Sequence, residues 1–291
     1  MLYKFTKTRL APTPSGYLHI GNILSFGITA GLAKKYKAKT LLRIDDLDKV
    51  RANPLFVADI FETLNFLSIE WQEGPRHAID FENHFSQTKR LGLYDQAIEQ
   101  LKNDGKLFAC TCSRTAYSPA ACDCRNKHLS FDTSAANWRI ISDNCQLLIK
   151  QLDSTIIQAE LPEGMQNFIV RKKDDYPSYQ LASVVDDLHL GVDLIVRGQD
   201  LWESTLAQQF LAQQLGRPDF AEIAFYHHPL IKNASGDKLS KSAGDTSVKY
   251  LRENGATPAE VFGRICTHAG VNGHAHNWDE FVDLIANHFK L

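Results

Sequence analysis

The sequence predicts a parallel α/β fold, and three observations predict it. Residues 4–11 form a strand candidate that runs into the turn-rich stretch APTPSGYLHIGN. A helix follows, with Ile20, Ile23, Leu24, Gly27, Ile28, Gly31 and Leu32 at helical spacing. Then comes TLLRIDDLD, a second strand candidate ending in carboxylates. A strand–helix–strand opening of this length needs a parallel crossover.

The remaining elements fit that frame. PLFVADIFETLNFLSIEW reads as an amphipathic helix, and residues 85–105 hold another. Residues 129–165 show little periodicity and many Asn, Ser and Asp, so they read as an insertion with irregular edges. NFIVRKKD is a strand candidate. YPSYQLASVVDDLHLG reads as a helix leading to a strand at Val192–Arg197. Residues 203–215 are helical in pattern and 221–228 extended. NASGDKLSKSAGD reads as a loop, and 256–290 as two short helices. The expected partition is 1–105 and 176–255 as the two halves of one α/β domain, 106–175 as an insertion, and 256–291 as a helical tail.

Composition sets limits on function. The chain has 291 residues, of which 44 % are hydrophobic and 23 % charged, an ordinary globular balance. No apolar run of about 18 residues occurs, which excludes an α-helical membrane span, and a cytoplasmic location is expected. A net charge of −2 gives no global argument for nucleic-acid binding, though a local basic patch can sit on such a body.

Three segments carry chemistry. In the first loop, glycines allow close approach to a ligand, and a helix N-terminus suits phosphate. His19 stands where that helix begins and can donate to a phosphate oxygen; the plainer reading is an exposed turn histidine. The lysine segment KLSKS (238–242) can neutralise triphosphate charge; by itself it reads as a solvated loop. The third is CTCSRTAYSPAACDC, with Cys110, Cys112, Cys122 and Cys124 as two close pairs. Four thiolates so placed suit one tetrahedral zinc ion, structural because no position stays open for water. A disulfide cluster is disfavoured in a reducing compartment. Cys145 and Cys266 read as isolated small residues, and His268, His274 and His276 as a surface loop.

HIGN (His19 to Asn22) and KLSKS together resemble the two signatures of the class I aminoacyl-tRNA synthetases. RLAPTPSGYLHIGN, RIDDLD and VVDDLHLGVDLIVRGQD narrow the resemblance to the glutamyl and glutaminyl branch, over roughly residues 5–250. The resemblance implies a Rossmann-type catalytic domain that binds ATP and glutamate and forms glutamyl-adenylate, with Mg2+ arriving on ATP. It implies catalytic roles for His19, Asn22, Lys238 and Lys241. ATP would contact His19, Gly21, Asn22, Leu239 and Lys241. Glutamate would meet Arg9 through its side-chain carboxylate, Asp45 through its ammonium, and Ala11, Thr13, Tyr179 and Arg197 around it. Three departures are visible: Asn22 replaces a signature His, Asp45 a usual Glu, and Thr13 a Ser. Asp186 and Asp187 read as helix-end charges.

Only 49 residues follow Ser242, too few for the anticodon-binding domain of an ordinary glutamyl- or glutaminyl-tRNA synthetase. A short, zinc-bearing catalytic domain resembles the glutamyl-queuosine tRNA(Asp) synthetases. That implies transfer of glutamate to queuosine in the tRNA(Asp) anticodon arm, by a monomer. The same group implies an alternative zinc set of three cysteines and a tyrosine, in which Tyr117 would replace Cys122. Two other readings stand beside this one: the same chemistry with another acceptor, such as a tRNA 3′ end, and a non-catalytic tRNA- or nucleotide-binding paralogue.

Overall fold

A computed structural model describes residues 4–113, 117–119, 121–142, 145–230 and 247–291. The chain order is β1 (Lys7–Leu10), α1 (Ile20–Tyr36), β2 (Lys39–Leu42), α2 (Pro54–Phe66), the single turn α3 (Ala78–Asp80) and α4 (Leu91–Asn103). There follow β3 (Leu107–Cys110), β4 (Asn137–Ile140), β5 (Leu147–Lys150), β6 (Ile156–Ala159), β7 (Ile169–Arg171), α5 (Tyr179–His189) and β8 (Leu194–Gly198). The last elements are α6 (Trp202–Gln214), β9 (Ala224–His228), α7 (Val248–Glu253), α8 (Pro258–Ala269) and α9 (Trp278–His288).

Two compact units share this chain. The first comprises Met1–Lys89, Val192–Gln199 and Tyr226–Leu291. In it β1 and β2 are parallel, with Arg9 opposite Leu41 and Leu10 opposite Leu42. Pairing continues past the strands, since Arg43 N–H donates to Leu10 O (2.9 Å) and Asp45 N–H to Pro12 O (3.0 Å). β8 lies against β1: Asp193 N–H donates to Lys7 O (3.1 Å), and its carboxylate accepts from Thr6 N–H and Lys7 N–H. β8 is hydrogen-bonded to β9. The crossover α1 buries Ile20, Ile23, Leu24, Phe26, Ile28 and Leu32, so it is apolar on nearly every side. Gly27 lets α9 come close, because a Cβ there would sit 2.7 Å from Phe281 Cε1. Phe281 stacks on Phe262 of α8 at 4.7 Å.

The second unit comprises Arg90–Gly191 and Asp200–Phe225. It holds the antiparallel sheet β3–β4–β7 and the hairpin β5–β6. Residues 129–165, where the sequence pattern assigned no strand, hold β4, β5 and β6. The local pattern hides them, because β6 is almost wholly solvent-facing and β4 is buried against partners distant in sequence. Asp186 corrects another expectation. It is fully buried, accepts from Arg90 Nε (2.8 Å) and Nη2 (2.9 Å), and accepts from Tyr94 O–H (2.7 Å). This network joins α4 to α5. Burial opposes the Arg90 charge, but the Asp186 carboxylate outweighs it and keeps the guanidinium protonated. Burial and the same carboxylate push the Tyr94 phenol upward, which keeps it a donor.

Candidate active site and metal centre

The first signature loop is built by helix capping. His19 is the N-cap of α1, and its Nδ1 accepts from Gly21 N–H at 3.1 Å. Asn22, at N3, accepts the His19 N–H through Oδ1 at 3.0 Å. The pair forms a capping box in which His and Asn take the usual Ser/Thr and Glu/Gln places. Asn22, the departure from the signature, thus has a positioning role that its amide oxygen satisfies without charge. Gly21 makes room for the ring: a Cβ there would lie 2.9 Å from His19 Cε1. Because Nδ1 accepts, the neutral ring carries its proton on Nε2, which is then a donor of the kind a phosphate oxygen needs.

The chain just beyond the lysine segment is clipped to this loop. Ser247 forms a bridge with His19, and Val248 N–H donates to Leu18 O (2.8 Å). Arg252 of α7 anchors that helix on buried Asp59 (2.9 Å) and on Glu62 (2.7 Å) of α2. Lys238, Leu239 and Lys241 themselves lie outside the described residues.

The strand ends gather charge. Arg9, on β1, is 5 % exposed, and its Nη1 donates to Val196 O at 3.2 Å. Arg197, the next residue of β8, is equally buried. Asp45 is buried in a bidentate pair with Arg43, Nε to Oδ1 at 2.7 Å and Nη2 to Oδ2 at 3.1 Å. Ala11 is half-buried and Thr13 exposed, with Thr13 O accepting from Ser15 N–H. All of these belong to the first unit. Tyr179 belongs to the second, where it starts α5 after the Ser178 cap and is 44 % exposed.

The sequence did not single out Arg43, Asp46 or His227. Arg43 could have been found, since in an extended segment it shares a face with Asp45. Asp46 accepts from Ser86 O–H (2.6 Å) and Gln87 N–H (2.8 Å), fixing the stretch after β2. Burial, with the Arg197 charge and then His228, pulls half-buried His227 down to about 4, so it is neutral near pH 7.

In the second unit the four cysteines converge. Their Sγ atoms all lie within 4.8 Å of one another. Cys110–Cys122 and Cys112–Cys122 are 3.8 Å apart, and Cys112–Cys124 is 3.7 Å. Zinc–sulfur bonds of about 2.3 Å at tetrahedral angles put sulfurs about 3.8 Å apart, so the cluster fits zinc. All four are thiols here rather than disulfides. Burial and the neighbouring sulfurs push Cys112 up to about 12. Burial also opposes the Cys124 thiolate, but the Thr111 N–H and the other thiols outweigh it and bring Cys124 to about 7. The Tyr117 hydroxyl is directed elsewhere, donating to Gln166 O (3.3 Å) and Asn167 O (3.4 Å). Cys266 is buried, Cys145 donates to Gln213 Oε1 (3.6 Å), and His268, His274 and His276 are exposed.

Residues 6–118 and 121–284 match the family of class I tRNA synthetases (E and Q), catalytic domain. The chain belongs to this family. It carries the mixed α/β catalytic-domain architecture of the class I aminoacyl-tRNA synthetase-type ligases, with a four-cysteine cluster and C-terminal helices. It is 34 % identical over 263 residues to a glutamyl-Q tRNA(Asp) synthetase of Synechococcus sp. (strain CC9605), covering 89 % of this chain and 81 % of that protein. A glutamyl-Q tRNA(Asp) synthetase of Symbiobacterium thermophilum is 32 % identical, with 90 % and 86 % covered. Glutamate--tRNA ligase 2 of Syntrophus aciditrophicus is 30 % identical, and the chain spans 55 % of its length. The crystal structure of a glutamate-tRNA synthetase from Elizabethkingia anophelis shares the fold, with a TM-score of 0.75 at 19 % identity over 97 % of this chain and 66 % of that one. Among the described residues no helix is long and apolar enough to cross a membrane.

Proposed function

We propose that this class I synthetase-type protein activates glutamate with ATP and transfers the glutamyl group to queuosine in the anticodon arm of tRNA(Asp). The activation half is supported by one arrangement: buried arginines 9 and 197 at neighbouring strand ends, in the same unit as the His19 cap. Guanidinium groups match carboxylates, and glutamate has two. Arg9 takes the side-chain carboxylate, Arg197 completes the pocket with Ala11 and Thr13, and Asp45 faces the ammonium. His19 Nε2–H, at the positive end of α1, receives ATP phosphate, with Gly21 and Asn22 shaping and holding that loop beside it. Leu239 contacts ATP, and Lys238 and Lys241 neutralise charge as the leaving pyrophosphate departs; ATP carries Mg2+.

A glutamate carboxylate oxygen attacks the α-phosphorus, forming the acyl–phosphate bond while the bond to pyrophosphate breaks. A hydroxyl of the acceptor then attacks the acyl carbon; AMP leaves, and the hydroxyl proton passes to the phosphate side. No protein nucleophile takes part, so positioning and charge supply the rate. The four cysteines hold one structural zinc ion, which stabilises their segment.

The queuosine acceptor is supported by the two glutamyl-Q relatives, matched over 81 % and 86 % of their own length. A tRNA 3′ end is the second reading, favoured by the glutamate--tRNA ligase at 30 % identity. Labelled glutamate offered to bulk tRNA with and without queuosine separates them. Label only on queuosine-containing tRNA is expected; equal label on both would move the acceptor to the 3′ end. Lys241→Ala should abolish adenylate formation with zinc content unchanged; normal activity would remove that lysine from the mechanism.

A further inference from the structure

The four-cysteine cluster has a cationic neighbour. Arg139 of β4 stands opposite Phe108 of β3 in the antiparallel register, and Cys110, two residues beyond Phe108, shares that face. The Arg139 side chain is 4 % exposed. Its guanidinium lies 3.3 Å from the Tyr117 ring centroid, and Tyr117 packs against the cysteines. Nη1 donates to Asn167 O at 2.9 Å, whereas Nε is buried without a hydrogen-bond partner. Among the described residues no carboxylate pairs with Arg139.

A buried guanidinium without a counter-charge is costly. Four thiolates around one divalent ion leave a formal charge of about −2, equally costly when buried. The two costs offset each other if the charges are neighbours. Backbone N–H groups already serve part of that charge, Thr111 donating to Cys124 and Cys124 to Cys122. We infer that Arg139 is the outer-shell cation of this metal site, stacked on Tyr117, whose ring forms the contact between guanidinium and cluster. Tyr117 thereby belongs to the second layer around the metal rather than the first. The inference rests on the zinc assignment of the four cysteines.

The test is a zinc-transfer titration to a chromophoric chelator, with thermal unfolding before and after metal stripping, on wild type, Arg139→Gln and Arg139→Lys. Loss of an outer-shell partner weakens metal binding about 10–100-fold, and Arg139→Gln should yield zinc by that factor. Arg139→Lys keeps the charge and should stay near wild type. Stripping should erase the melting difference between wild type and Arg139→Gln. Equal zinc retention in Arg139→Gln, or an equal melting loss with and without metal, would overturn the inference. Should Arg139→Gln fail to fold, Tyr117→Leu removes the ring contact and is subject to the same two outcomes. Wild type that takes up no zinc would overturn the zinc assignment and the Arg139 role together.

Discussion

Among the described residues, two of the arginine–aspartate pairs with buried carboxylates do different work. Arg90 and Asp186 are 96 residues apart, and the pair with Tyr94 joins two helices of the second unit. Arg43 and Asp45 are two residues apart, at the end of β2 in the first unit. A long-range pair adds a constraint on the fold; a pair between near neighbours closes almost no loop. Its desolvation is offset by the bidentate pairing itself, which fixes the orientation of the Asp45 carboxylate at the strand end. A shared chemistry therefore ties two helices together in one unit and orients a strand-end carboxylate in the other.

Substitutions can break that contrast. Asp186→Asn should have the largest effect on stability, about 3 kcal/mol or more in urea unfolding, because Arg90 stays buried without its counter-charge. A loss below about 1 kcal/mol would contradict the architectural role. Asp45→Asn should cost less stability, about 2 kcal/mol, since its partner lies on the same short segment. The KM for glutamate should instead rise at least about tenfold, about 1.4 kcal/mol of binding. An unchanged KM would make this pair architectural too.

Acidification sharpens the comparison. His227 has its folded value depressed to about 4, below the ordinary 6.5, by burial, Arg197 and His228. Between those two values the unfolded chain binds the proton more readily. The contribution is thus complete above about pH 6.5 and is lost as pH falls toward 4. His227→Gln should lose about 2 kcal/mol less than wild type between pH 7 and 5 in urea titrations. Parallel losses would show that His227 feels no such field. The smallest effect expected is Asn22→Ala, about 1 kcal/mol from the missing cap, read by the same unfolding midpoint. No shift would remove the capping role.

Local features were legible in the sequence. The Gly/Pro turn before α1, the helical spacing of Ile20 to Leu32 and the close cysteine pairs each depend on neighbours in the chain, and each appears in the structure. The strands of 129–165 were not legible, because β4 pairs with β3 and β7, each about thirty residues away, and β6 shows no inward face. Asp186 was misread for a related reason: its partners lie on another helix, 92 and 96 residues back. His227 takes its low value from burial and from Arg197 on β8, and Arg139 stacks on Tyr117 about twenty residues back, neither of which spacing reveals.

The central claim is that the first unit's arginines and His19 loop serve glutamate activation. Amino-acid-dependent exchange of labelled pyrophosphate into ATP, run with bulk tRNA present, tests it most directly. The account predicts exchange with glutamate and none above background with glutamine or aspartate, abolished by Arg9→Ala in protein of unchanged zinc content. Zinc-loaded, folded protein that exchanges with no amino acid, or equally well with all three, would contradict it.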